Sequence, residues 1–227
     1  MPAYTTAVFD LDGTLLDTLE DLYRSVNAAL AAHNLPQRSR DEVRLATGNG
    51  IKLLIQRSVP ENTPAKTETA VFDDFRRIYA AHCEDHTAPY AGIPELLAHL
   101  REAGVALAVV SNKADFAVQE LIAKRFPNTF DAVLGENEAA GICKKPDPAM
   151  VNAALAKMGH AASASEDLGV VYIGDSEVDV QTAQNCGCPC LSCSWGFRDR
   201  AWLMDAGATT IVDTPAELER VLLARAQ

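Results

Sequence analysis

Nowhere in the 227 residues does an apolar run approach the ~20 residues that a membrane-spanning helix needs, so no membrane partner is expected. The start, Met1-Pro2-Ala3-Tyr4, has neither the basic nor the apolar stretch of a secretory signal, and a cytoplasmic location is expected. Positive charge is in short supply. Twenty Lys and Arg against 31 Asp and Glu give a formal net charge of -11, which argues against nucleic acid or an anionic membrane as the main partner. An anionic small molecule stays compatible, because a local group of Lys, Arg or metal overrides the net field. No internal repeat and no low-complexity tract interrupts the chain.

Cysteine is also without a framework. Cys83 and Cys143 stand apart, while Cys186, Cys188, Cys190 and Cys193 crowd together, and Cys190-Leu191-Ser192-Cys193 is formally a C-x-x-C. A zinc or redox site needs a matching second pair or a strand-to-helix context. The segment 189–194 reads instead as a buried strand in which Cys serves as a small apolar residue, reduced in the cytoplasm. His82, Cys83 and His86 similarly read as a helix end with exposed imidazoles rather than as metal ligands.

What is present is an ordinary soluble composition, 48% hydrophobic and 22% charged, long enough for one large domain or one domain with an insertion. A first strand is expected over residues 4–9. From Thr18 to about His86 the pattern is helical. Leu19, Leu22, Val26, Ala29 and Leu30 recur at helix spacing after the cap-like Asp17-Thr18. Further helices are expected over 40–47, from Ile51 to about Val59, and over 67–83, with Gly48-Asn49-Gly50 breaking the chain between the first two of these. Strands and helices then alternate. Strands are expected over 105–110, 130–134, 170–173, 189–194 and 209–212. Helices are expected from about Ile93 to a stop at Gly104, over 114–125, 148–158 and 178–186, at Trp202, and over 216–224. Unbroken apolar strands separated by helices indicate an α/β fold with a doubly wound parallel sheet, Rossmann-like, with a small helical domain inserted after the first strand. The expected boundaries are 1–17 for the first part of the core, 18–86 for the helical insertion and 87–227 for the second part of the core.

In such folds ligands bind beyond the carboxyl ends of the strands, and polar groups gather there. The first strand ends in Asp10-Leu11-Asp12-Gly13-Thr14, the strand over 105–110 in Ser111-Asn112-Lys113, and the strand over 170–173 in Gly174-Asp175-Ser176-Glu177-Val178-Asp179. A later loop carries Lys144-Lys145-Pro146. Two carboxylates spaced by one residue on an extended chain point to one side, a costly arrangement unless a cation or an electrophile sits between them. These are the groups that phosphoryl transfer needs. A carboxylate can attack phosphorus. Mg²⁺ prefers oxygen ligands such as Asp10 and Asp175. Lys145 can offset the remaining charge. Ser111, Asn112 and the turn at Gly13 can bind phosphate. A second carboxyl, Asp12, can exchange protons with the leaving oxygen and with water.

Taken together, these residues resemble the haloacid dehalogenase superfamily of phosphohydrolases. Phe9-Asp10-Leu11-Asp12-Gly13-Thr14-Leu15 is similar to that family's nucleophile loop, and Ser111, Lys145 and Gly174-Asp175-x-x-x-Asp179 to its other three motifs. The resemblance implies Asp10 as nucleophile and Asp12 as general acid and base. It implies Mg²⁺ held by Asp10, the backbone carbonyl of Asp12, and Asp175, with Asp179 supporting the metal from behind. Ser111 and Lys145 would bind the phosphoryl group; the family places its lysine just before the proline, the position of Lys145, with Lys144 beside it. The helical insertion looks like the family's small cap, which closes over the site. Members that cleave carbon–halogen or carbon–phosphorus bonds lack the second aspartate, so Asp12 points to phosphate esters.

Gly48, Asn49 and Gly50, with Ser111-Asn112-Lys113 and Ser194-Trp195-Gly196-Phe197, look most like phosphoglycolate phosphatases. This implies a small phosphorylated metabolite as partner and 2-phosphoglycolate as first candidate, in a monomer or homodimer. Gly48, Asn49 and Gly50 are the candidate specificity residues, and Arg44, Lys52 and Arg57 are cations able to meet a substrate carboxylate. A phosphosugar mutase or a pyrophosphatase on the same site is an alternative, as is a non-catalytic phosphate-binding regulatory module.

Overall fold

Six parallel strands carry the larger part of the chain in the computed structural model, which describes residues 4–137, 141–160 and 169–224. The chain divides into two compact units: Met1–Leu15 with Pro89–Gln227, and Leu16–Ala88.

In the first unit, β1 (Thr6–Phe9) is flanked by β4 (Ala106–Ala114) and β6 (Val170–Gly174), with Phe9 level with Val109 on one side and Ile173 on the other. β5 (Ala132–Glu136) lies outside β4, while β7 (Cys190–Cys193) and β8 (Thr210–Val212) extend the other side, giving the order β5-β4-β1-β6-β7-β8. All residues of β1 and β6 are buried, as expected for parallel strands covered on both faces. The connecting helices are α5 (Ile93–Glu102), α6 (Asp115–Arg125), α7 (Ala149–Lys157), α8 (Glu177–Cys186), α9 (Arg200–Asp205) and α10 (Pro215–Leu222). α7 buries Met150, Val151, Ala154 and Leu155 in a cluster with Val8, Val110, Leu134 and Tyr172. Each large aliphatic side chain buried this way contributes about 1.5–3 kcal/mol. The strand order reverses beside β1, so β1's carboxyl end opens at the point where such sheets leave a crevice for ligands.

β4 corrects the expected strand over 105–110. The extended chain continues through Ala114, so Ser111, Asn112 and Lys113 belong to the strand and α6 starts at Asp115. The pairing with β5 shifts register between Val110 and Ala114, and polar partners described below satisfy the chain where the regular ladder stops.

The second unit is helical: α1 (Leu19–Ala32), α2 (Arg40–Ala46), α3 (Ile51–Ser58) and α4 (Ala65–His82). α1 buries Leu22, Val26, Ala29 and Leu30, and α4 buries Val71, Phe75 and Tyr79, each set on one helix face. Phe75 and Tyr79 stack with centroids 5.4 Å apart. The buried Asp21 carboxylate accepts from the backbone N–H groups of His86 and Thr87 and from the Thr87 hydroxyl, tying α1 to the segment after α4. Thr18 does not cap α1 with its hydroxyl; the Asp17 carboxylate accepts from Leu19 N instead. Two short strands that the apolar pattern does not reveal, β2 (Leu16–Asp17) and β3 (Ala88–Pro89), pair with each other where the chain crosses between the units.

Candidate active site

The site is built from β1 outward. Asp10 N still donates to Ile173 O at 2.8 Å, so the strand remains paired up to the residue that carries the first carboxylate. The chain then turns tightly, with Leu11 O accepting from Thr14 N and Leu15 N. Gly13 sits at φ +90°, and a Cβ there would stand 2.4 Å from an oxygen of Asp175. Gly196 closes the same point from the opposite loop, where a Cβ would lie 2.3 Å from Gly13 O. Backbone packed this closely leaves room for no side chain but hydrogen.

That packing aims Asp175, which follows the carboxyl end of β6. One carboxylate oxygen accepts from the Thr14 hydroxyl at 2.9 Å and the other from Phe197 N at 2.6 Å. Asp179, in the first turn of α8, is fixed at both oxygens as well. Its Oδ2 accepts from the N–H groups of Asp175 and Ser176 and from the Ser176 hydroxyl at 2.6 Å. Its Oδ1 accepts from Lys145 Nζ at 2.8 Å and from the Tyr172 hydroxyl at 3.1 Å.

Lys145, in the loop before α7, is buried and also donates to Asp10 at 2.7 Å and to the Tyr172 hydroxyl at 3.1 Å. Burial opposes its charge, yet Asp10 and Asp179 together hold the ammonium above the ordinary lysine value. The opposite balance holds for the acids. Burial pushes the Asp10 carboxyl up to about 7, against the pull of Lys145 and with the added repulsion of Asp179. Burial first, then Asp179 and Asp10, raise Asp175 well above the usual carboxylate range.

Asp10, Asp175 and Asp179 form the one group of metal-ligating side chains found among the described residues, with an oxygen from each within 4.8 Å of the others. Three buried carboxyl groups faced by one ammonium repel one another when ionised, and the donors are all hard oxygens. A divalent cation such as Mg²⁺ fits that donor set.

The remaining predicted residues are brought to the same strand ends. Ser111 is buried at the end of β4, where its Oγ accepts from Lys113 N at 3.2 Å. Asn112 has a partner that its place in the motif does not reveal. Its side-chain amide clasps the backbone of Lys145, accepting from Lys145 N at 2.7 Å and donating to Lys145 O at 3.2 Å. The alternation of an extended strand turns Asn112 away from the side shared by Ser111 and Lys113, so it serves the lysine loop. Asp12 meets a partner outside the four motifs: Lys113 Nζ donates to both of its oxygens, at 2.9 and 3.2 Å. Tyr172 was equally hidden, as a tyrosine inside an apolar strand reads as core. Lys113 had a usable signal, because a strand continued past Ser111 would place residues 111 and 113 on one side.

Gly48, Asn49 and Gly50 lie between α2 and α3 in the second unit, both glycines at positive φ, and Asn49 accepts from Arg57, which also donates to Ala46 O. Arg44 pairs with Asp41. Cys193 packs against Gly174 O, and burial raises its thiol; burial likewise pushes Cys190 up to about 12, so both are protonated thiols at neutral pH.

The chain is similar to known proteins in sequence and in fold. The model of the haloacid dehalogenase-like hydrolase family matches residues 7–193. A phosphoglycolate phosphatase of Caulobacter vibrioides is 36% identical over 198 residues, spanning 86% of this chain and 81% of its own. Another, from Haemophilus influenzae, is 32% identical over 222 residues, spanning 94% and 96%. A crystal structure of a protein from Lactobacillus delbrueckii subsp. bulgaricus superposes with a TM-score of 0.89 at 35% identity, covering 99% of this chain and all of that one.

Proposed function

The chain belongs to the haloacid dehalogenase-like hydrolase family, and from that premise we propose that it is a phosphatase that hydrolyses a small phosphomonoester through Asp10, with 2-phosphoglycolate the first candidate substrate. The observation that carries this reading is the convergence of Asp10 and Asp175 from the carboxyl ends of β1 and β6, Lys145 from the loop before α7 and Asp179 from the first turn of α8. The substrate choice rests on the relatives named above, which are phosphoglycolate phosphatases.

In this reading an oxygen of Asp10 forms a bond to phosphorus as the ester P–O bond breaks. Asp12 gives its proton to the departing oxygen. Water then attacks phosphorus, its proton passes to Asp12, and the bond to Asp10 breaks to release phosphate. Lys145, aimed by Asp179 and Tyr172 and held at its backbone by Asn112, balances negative charge on Asp10 and on the phosphoryl oxygens. Ser111 offers its hydroxyl to the phosphoryl group. Asp10, Asp175 and the Asp12 carbonyl would hold Mg²⁺, which supplies charge neutralisation between the carboxylate and the phosphate.

The test is phosphate release from 2-phosphoglycolate, a hexose phosphate and pyrophosphate, with and without Mg²⁺. The proposal expects Mg²⁺-dependent release, fastest from 2-phosphoglycolate. Isomerised phosphosugar without free phosphate would mark a mutase, and binding without turnover on every compound would mark a regulatory module.

A further inference from the structure

Resting on the phosphatase reading, we infer that Lys113 is a positioning residue for Asp12, holding its carboxyl group in the orientation that serves the leaving oxygen. The Lys113 ammonium donates to both oxygens of Asp12, at 2.9 and 3.2 Å, and the two side chains are only 6% and 18% exposed. A well-solvated ion pair would order little. Here one donor shared between two oxygens fixes the plane of a carboxyl group that could otherwise rotate about its Cβ–Cγ bond.

The backbone is built to deliver that donor. β4 stays extended past its regular pairing with β5, through the register shift between Val110 and Ala114. Ser111 Oγ accepts from Lys113 N within that stretch. Asn112, facing the other side, is anchored on Lys145. Three consecutive residues thus serve three parts of one site: Ser111 the phosphoryl group, Asn112 the Lys145 loop and Lys113 the acid. The spacing gives Asp12 an orienting partner comparable to the clasp on Lys145.

In this scheme Lys113 acts through Asp12, so its value depends on how badly the leaving oxygen needs a proton. As the bond from Asp10 to phosphorus forms and the ester bond breaks, an alkoxide must receive the proton that Asp12 then carries on one oxygen, the other oxygen staying with Lys113. A 4-nitrophenolate departs without it. kcat/KM covers the steps up to that transfer and leaves out the later attack by water.

The experiment measures kcat/KM with Mg²⁺ for 4-nitrophenyl phosphate, 2-phosphoglycolate and ethylene glycol monophosphate, an alkyl ester without a carboxylate. General acid catalysis contributes roughly 10²–10⁴-fold, so Lys113→Met should cost about 10- to 100-fold on both alkyl esters and less than about 3-fold on the aryl ester. Asp12→Asn should share that selectivity, the double variant should lose no more than Asp12→Asn alone, and Lys113→Arg should recover most of the activity. Equal losses on alkyl and aryl esters would assign Lys113 a merely structural role and overturn the inference. A rise in KM confined to 2-phosphoglycolate would overturn it too, making Lys113 a carboxylate binder, as would additive losses in the double variant. Wild-type protein that turns over none of the three esters defeats the phosphatase reading itself, and the inference with it.

Discussion

Gly13 shows how little freedom the site has at the level of single residues. Its φ of +90° is costly for any residue with a side chain, and a Cβ would press on the Asp175 carboxylate at 2.4 Å. Gly13→Ala should therefore displace Asp175, weakening Mg²⁺ binding in calorimetric titration and lowering kcat by at least about 100-fold, the scale of loss that follows a 1 Å misplacement. Near-normal metal affinity and turnover would contradict this account of the turn. Asp10, Asp12, Lys145, Asp175 and Asp179 were legible in the sequence because their chemistry is unusual at strand ends and their order is informative. Lys113 and Tyr172 were not. A lysine after Ser-Asn looks like a helix start, and a tyrosine between Val171 and Ile173 looks like filling for the core. Their roles depend on which side of a strand they face, and that follows from where the strand stops. Asn112 was legible as a site residue, but its hold on the Lys145 backbone was not, for the same reason.

Elements were legible in proportion to their regularity. The buried strands and long amphipathic helices declare themselves by composition and period. β2 and β3, two residues each, bury no periodic face and leave no pattern to read. Polar residues after Val110 suggest the end of β4, whereas the strand continues, with Ser111 Oγ accepting from Lys113 N and Asn112 anchored on the Lys145 backbone. In the second unit, α2 begins with a reciprocal cap: Glu42 N donates to Ser39 Oγ at 3.2 Å, and Ser39 N donates to the Glu42 carboxylate at 2.7 Å. Ser39→Ala removes one of those bonds and should destabilise the helical unit by about 1 kcal/mol in urea melts. An unchanged midpoint would mean that the tertiary packing of α2, not its cap, holds that end.

For the whole molecule, the concentration of carboxylates at one end of the sheet is a standing cost that a bound cation would offset. Burial raises the Asp10 carboxyl to about 7 from an ordinary 3.8, and Asp175 moves in the same direction. Between those values the folded protein holds a proton at Asp10 that the unfolded chain has released. Stability of the metal-free protein therefore falls as pH rises through this window. Mg²⁺ should restore stability most at and above pH 7, where no proton competes for Asp10. Urea melts of wild type and Asp10→Asn at pH 5 and pH 7.5, with and without Mg²⁺, isolate this contribution. The metal-free wild type should lose stability relative to the variant at the higher pH, and a relative gain would contradict the sign.

In the proposed reaction Asp10 carries the phosphoryl group between ester and water. Acid quenching during steady turnover, followed by borohydride reduction and peptide mass spectrometry, converts an aspartyl-phosphate into homoserine at the residue that held it. Homoserine is expected at position 10 in wild-type protein and is absent from Asp10→Asn. Homoserine at Asp12 or Asp175, or turnover retained by Asp10→Asn, would contradict it.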